Sequence, residues 1–427
     1  MKRTIIGSAA LLGASALVLS GCGSASDAGG AGGSGSETAD GGELRVWLVG
    51  ADTPDEARQH LVDTFEAEND GWTLTIEEQQ WTGLVDLLTT SLSGSDSPDV
   101  VEVGNTQAAA FTSAGAFLDI SDMYDGLGGD DLLPGFVEAG TYDDTFYAAP
   151  YYSGSRVVFY NTEMFDAAGL EEPTTLDEYV DGAEQLAETT GVSGVWYPGK
   201  DWYNALPFIW ENGGEVAVLD GDTWDAQLSS PESIAGLEQV ARLMDTSTAP
   251  KDGDETDAWV PFREGDAAML SAPSWAYWSI VADDDGNDTD LTESLGSFAL
   301  PGADGGAAQV FAGGSNIAIS ANSAHLEQAK SALEIMLSEE YQAILAENGL
   351  VPALTSMGDQ TAGATPELAA DVAAAAAEAK LTPASPMWAD VEAAQLLQDF
   401  FVQIANGGDI PSLAETLDAD IEQVLNG

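Results

Sequence analysis

Phe146 to Asn161 reads Phe-Tyr-Ala-Ala-Pro-Tyr-Tyr-Ser-Gly-Ser-Arg-Val-Val-Phe-Tyr-Asn, and it restricts the possible folds more than any other stretch. Pro150 and the Ser153-Gly154 turn break one strand, and the apolar run Val157 to Tyr160 starts another within a few residues. One continuous sheet accommodates such a break badly, whereas a crossing between two lobes accommodates it well. The crossing would set Tyr151 and Tyr152 against a ligand held between the lobes. A plain buried strand pair joined by a turn has the same pattern.

At 427 residues the chain exceeds the size at which single cores stop growing, so two lobes are expected. A hydrophobic content of 44% with 11 tryptophans is that of a folded globular chain. Charge narrows the partners. Eleven Lys and Arg face 73 Asp and Glu, a net of -62, so nucleic acids and other polyanions are repelled. A neutral ligand or a cation remains.

Residues 1 to 21 read as an export signal, with Lys2 and Arg3 ahead of the apolar run Ile5 to Leu19. Leu19-Ser20-Gly21-Cys22 resembles the lipobox of bacterial lipoproteins, which implies diacylglycerol on Cys22 and a membrane anchor. Cys22 is the only cysteine, which excludes a disulfide. The Gly, Ser and Ala-rich residues 22 to 42 read as a flexible tether.

The mature chain alternates strand and helix patterns, as expected of an α/β fold. Leu44 to Val49 reads as a buried strand, and Thr53-Pro54-Asp55-Glu56 as a capping box. Trp72, Leu74 and Ile76 mark a second strand, Leu84 to Leu92 a helix, and Asp99 to Val103 a third strand. Gly104-Asn105-Thr106-Gln107 follows at the C-terminal end of that strand, the edge where open α/β sheets bind ligands. Thr175 to Glu178 is a second capping box, and Leu326 to Leu345 reads as one long amphipathic helix. The acidic stretch Asp283 to Asp290 departs from the calcium-loop pattern and reads as a surface loop.

Catalytic patterns are absent from the sequence. His60 and His325 have no second histidine at metal spacing, and no nucleophile elbow, zinc motif or phosphate-binding glycine loop occurs. Nothing calls for a cofactor or a metal. Aromatic residues in Gly, Pro and Ser-rich loops point instead to binding. A sugar offers an apolar C–H face and a rim of hydroxyls, and so needs aromatic planes beside amides and carboxylates. Trp202, Trp210, Trp275 and Trp388, with Asn105, Gln107, Glu211 and Asn212, supply both kinds.

These elements, in order, resemble the family 1 extracellular solute-binding proteins of ABC importers over nearly the whole mature chain. The resemblance is carried by Leu44-Arg-Val-Trp-Leu48, Pro98-Asp-Val-Val-Glu-Val-Gly-Asn-Thr-Gln107, Tyr147-Ala-Ala-Pro-Tyr151, Arg156 to Asn161, Glu211-Asn-Gly-Gly214, Ala267-Ala-Met-Leu270, Ser274-Trp275 and Gly313-Gly-Ser315. Thr53-Pro54 and Gly104-Asn-Thr-Gln107 look most like actinobacterial lipoproteins that bind N,N'-diacetylchitobiose. The resemblance implies a two-lobed periplasmic-binding-protein-like fold of type II. One lobe would take 43–150 with about 311–360, and the other 151–310 with about 361–427. It also implies a monomer that closes on an oligosaccharide, delivers it to a membrane permease and catalyses nothing. Its ligand positions map onto Asn105, Gln107, Tyr151, Trp202, Glu211, Asn212, Trp275, Gly314 and Ser315, with Trp81 and Trp388 at the periphery. Two rival readings stay open. A receptor for a polyamine or basic peptide would bind with strong salt dependence, and an extracellular carbohydrate-active enzyme would turn over its sugar.

Overall fold

In the strand Glu43–Val49 (β1), Leu44, Val46 and Leu48 are buried on one face and Trp47 and Val49 on the other. Such a run belongs to a strand covered on both sides, as parallel strands are. The computed structural model describes residues 41–94, 96–282, 287–361 and 365–427. The export signal, Cys22 and the tether up to residue 40 lie outside the described residues, as do 283–286 of the acidic loop.

β1 is followed by the helix Asp55–Glu68 (α1), the strand Thr73–Gln79 (β2), the helix Leu84–Leu92 (α2), the strand Val100–Gly104 (β3) and the helix Asn105–Ser113 (α3). β1 pairs in parallel with β2 from Glu43 opposite Thr73 to Val49 opposite Gln79, and with β3 at Val46 and Val100. Ala57, Leu61 and Phe65, spaced one helical turn apart on α1, cover one face of this sheet, and Leu84, Leu88 and Leu92 of α2 cover the other.

The next strands, Ala148–Gly154 (β4) and Arg156–Asn161 (β5), belong to different sheets although only Ser155 separates them. Phe146 to Asn161 is therefore a crossing. β5 joins the strands Ser193–Val195 (β6), Ala267–Pro273 (β7) and Leu295–Phe298 (β8) in a sheet ordered β8-β5-β7-β6. The chain then crosses back into the strand Gly313–Ile319 (β9), which lies antiparallel between β3 and β4. With Val351–Pro352 (β10), the larger sheet is ordered β10-β4-β9-β3-β1-β2. A third crossing leads to the helix Pro366–Ala377, which packs on β8 and β5.

Two cores flank the larger sheet, drawing on residues 44–152 and 317–357, and a third surrounds the smaller sheet. Trp275 packs against the third core and against one of the first two. Among the described residues no helix is long and apolar enough to cross a membrane.

Two expected features differ. Thr53 does not cap α1: Pro54 occupies the capping position, and the Thr53 hydroxyl pairs with the Tyr151 hydroxyl instead. The long helix from Leu326 is two helices, Leu326–Met336 (α4) and Glu339–Glu347 (α5), because the Ser338 hydroxyl accepts the Tyr341 N–H and starts a new one. Thr175 does cap its helix by accepting from the Glu178 N–H.

Gly314 sits at φ +133°, and a Cβ there would lie 2.3 Å from the Tyr152 carbonyl oxygen. Gly314→Ala should therefore prise β9 from β4 and lower unfolding stability by at least about 2 kcal/mol, read from urea denaturation. A loss under about 0.5 kcal/mol would show that the pairing tolerates a side chain.

Candidate ligand-binding site

The C-terminal ends of the parallel strands β1, β2 and β3 share one edge of the larger sheet, where Gly104 faces Ser315 and Ser315 faces Tyr152. Glu102 is buried there. Its Oε1 accepts from the Ser315 hydroxyl at 2.7 Å and the Tyr152 hydroxyl at 2.9 Å, and its Oε2 accepts from the Val49 N–H at 2.8 Å. Burial pushes its carboxyl up to about 7, against the pull of the Ser315 and Val49 bonds. At the rim, Asp52 accepts from the Trp81 indole N–H at 2.9 Å and from Tyr152 at 3.4 Å. Trp81 is 40% exposed and lies across Gly50 and Gly104.

From this edge α3 points its first turn at the helix Trp388–Ala393 (α6), which belongs with the smaller sheet. Glu392 bridges the two. It accepts from Thr106 Oγ1 at 3.0 Å and from the Trp388 indole N–H at 3.0 Å, and it also bonds the Gln107 amide. Burial raises the Glu392 carboxyl to about 7 in spite of these bonds. Behind Trp388 stands an aromatic wall. Trp202 lies 6.3 Å from Trp388 and 4.1 Å from Tyr203, and Tyr203 stacks on Phe311 at 4.8 Å. Arg156 lies over the Tyr203 ring at 5.4 Å, with Asp201 and Glu255 nearby. Beside α3 a cavity of about 330 Å³ is walled by Asn105, Thr106 and Ala109 on one side and by residues 379–384 on the other.

The expected site residues separate into groups. Gln107, Trp202 and Trp388 come together at this junction, both indole rings as fully buried as Tyr151, and Gln107 Oε1 and Trp202 Nε1 have no hydrogen-bond partner there. Asn105 ties the start of α3 to the second crossing by donating to the Ala312 carbonyl at 2.7 Å. Trp275 stands half-buried beside Gly154, edge-on to Trp259 at 5.6 Å. Gly314 and Ser315 act as sheet positions, the first through close backbone approach and the second through Glu102.

Three of the expected residues are held by partners away from this junction. Tyr151 is fully buried, its hydroxyl bonded to Tyr341 at 2.7 Å and Thr53 at 2.9 Å, because its ring faces α5 rather than the sheet edge. Glu211 holds the loop before the second crossing by accepting from the Ala303 and Gln309 amides. Asn212 donates to the Phe208 carbonyl and to Gln239, closing the end of its own helix. Tyr203, Phe311, Arg156, Thr106 and Glu392 also stand at this junction, and Asp52 and Glu102 at the sheet edge beside it, none of them among the ligand positions expected from the sequence. For Arg156 and Glu102 a signal was available, since each is a lone charge in an otherwise apolar strand.

Among the described residues no cluster could hold a metal ion. Two sheets joined by three crossings, with an aromatic and hydrogen-bonding site at their junction, define a two-lobed binding protein. Residues 60–416 match the family model for bacterial extracellular solute-binding proteins. The diacetylchitobiose-binding protein DasA of Streptomyces coelicolor is 33% identical over 92% of this chain and 91% of its own length. The GacH receptor of Streptomyces glaucescens superposes with a TM-score of 0.76 at 21% identity, covering 90% of this chain and 99% of that one. The maltose-bound MalE3 of T. maritima gives a TM-score of 0.77 at 20% identity, covering 90% of this chain and 100% of that one. The chain belongs to the bacterial extracellular solute-binding proteins, which places it outside the cytoplasm.

Glu102 also predicts a pH dependence. Its folded value of about 7 exceeds the 4.5 of an ordinary glutamate, so between these values the folded chain binds more protons than the unfolded one. Its contribution to stability is complete below the lower value and lost as pH rises through the upper. Between pH 5 and pH 8, Glu102→Gln should gain about 1–3 kcal/mol on the wild type in urea unfolding. A difference that stays constant with pH would show that Glu102 is ionised throughout.

Proposed function

We propose that the protein is the substrate-binding lipoprotein of an ABC sugar importer, and that it captures an oligosaccharide of N-acetylglucosamine, best represented by chitobiose. The observation that carries this reading is the wall of Trp202, Tyr203, Phe311 and Trp388 facing Thr106 and Gln107 across the junction of the two sheets. Aromatic rings suit the C–H faces of pyranose rings, and the unpartnered Gln107 Oε1 and Trp202 Nε1 suit their hydroxyls. The name of the DasA relative supports the N-acetylated sugar.

In this proposal the lobes are 43–150 with about 311–360, and 151–310 with about 361–427. They rotate about the Ser155 crossing and its two companions, so that the Glu392 bridge to Thr106 forms on closure. Cys22 carries the lipid anchor, residues 22–42 hold the lobes off the membrane, and the closed form docks as a monomer on the permease, which takes up the sugar. The protein itself performs no chemistry.

Calorimetric titration with chitobiose, maltose, cellobiose and spermidine, each at low and high salt, tests the reading. The expected outcome is saturable, salt-indifferent binding of chitobiose in the micromolar range, about -8 kcal/mol. Salt-sensitive binding of spermidine alone would install a receptor for cations in its place, and hydrolysis of the sugar by the pure protein would make it an enzyme. Tyr203→Ala and Trp275→Ala should each weaken sugar binding by about 1 kcal/mol or more. Unchanged affinity in a folded variant removes that ring from the site.

A further inference from the structure

At least five of the nine lysines and arginines among the described residues hold a carboxylate. Arg45 pairs with Glu77, Arg58 with Glu78, Arg242 with Glu184, Lys330 with Asp122 and Lys380 with Glu215. Arg156 is different. It is only 7% exposed, yet among the described residues no acceptor lies within hydrogen-bond reach of its guanidinium, which rests over the Tyr203 ring. Asp201 feels its charge but holds Asn204 instead, accepting from its backbone and side-chain nitrogens at 3.2 and 2.6 Å. Glu255 feels it too and accepts from its own backbone. Three fully buried polar atoms near Arg156 and Asp201 have no partner: Ser155 Oγ, Tyr197 Oη and Trp202 Nε1.

A guanidinium carries five N–H donors and accepts nothing, and burying it without acceptors is costly. What completes this site is therefore an acceptor. An ammonium ligand would bring only more donors. A carboxylate ligand would meet Asp201, Glu255 and Glu392, all of which act on the Tyr203 hydroxyl. A carbonyl oxygen brings only acceptor capacity to the guanidinium, whereas a sugar hydroxyl brings a further donor with it. A flat amide with a methyl group also suits the stacked Tyr203 and Phe311 rings, 4.8 Å apart.

We propose that Arg156 is a specificity-determining residue: it donates to the acetamido carbonyl oxygen of an N-acetylated sugar lying against Tyr203, and so separates N-acetylglucosamine oligomers from glucose oligomers of the same linkage. This rests on the sugar-receptor reading above.

The test is calorimetric titration of the wild type, Arg156→Lys and Arg156→Gln with N,N'-diacetylchitobiose, its de-N-acetylated counterpart and cellobiose. Lysine keeps the charge but loses the planar fork, and thermal unfolding confirms that each variant is folded. The wild type should favour the diacetylated sugar over cellobiose by about tenfold or more, and both variants should bring that ratio to within about threefold. Should Arg156→Gln fail to fold, Arg156→Lys and the wild-type preference for the acetylated over the deacetylated sugar still decide the matter. Equal losses for all three sugars, or a ratio unchanged in Arg156→Lys, would make Arg156 structural and overturn the inference while leaving the receptor reading intact. A wild type that binds none of these sugars overturns both.

Discussion

One oxygen of the buried Glu102 carboxylate takes hydrogen bonds from Ser315 and Tyr152, and the other takes one from the Val49 amide. Tyr152 stands three residues before the single-residue crossing at Ser155, and Ser315 stands just after the chain has crossed back. One side chain on β3 thus fixes the roots of two crossings and the end of β1. Burying a carboxylate is unfavourable, and three donors compensate it only when all are in place. The return is positional. β9 is held so close to β4 that residue 314 must be glycine, and the sheet edge beneath the site is pinned on both sides of Glu102.

That pinned edge explains how side chains carried by the two sheets meet across their junction. Thr106 and Gln107 occupy the first turn of α3, directly after Gly104, so their direction is set by β3. Glu392 and Trp388 lie on a short helix whose position is set by the third core. A hinge that slipped by one residue would invert the faces of β4 and lose both the Glu102 bonds and the Tyr151 contact with α5.

The crossing was legible because proline, glycine and serine interrupt an apolar run within a few residues, and few other arrangements tolerate that. The strands and helices of the larger sheet were legible from period alone. The site was legible only in part. Trp202, Trp388 and Gln107, which aromatic loops and a strand end single out, meet at the junction of the two sheets, but Tyr151, Glu211 and Asn212 are held by partners distant in the chain or by their own helix. Sequence spacing carries no information about such partners: Tyr151 finds Tyr341 190 residues away, and Glu211 finds Gln309 98 residues away. A polar residue beside a motif can equally bind a ligand or fasten a loop, and only the hydrogen-bond geometry separates the two.

Charge also reads differently once the fold is known. A net of -62 suggests a cationic partner, yet the surface carboxylates are solvated or paired with the few lysines and arginines. At physiological ionic strength their field fades within about 8 Å. The chemistry of the junction is local: Glu392 held by three donors, Asp201 held by Asn204, and a guanidinium with donors to give. The Glu392 and Asp201 carboxylates are already occupied, whereas the Arg156 guanidinium and Trp202 Nε1 have donors without acceptors. A desolvated surplus of donors favours a neutral ligand rich in acceptors over a polyamine, however acidic the surface around it.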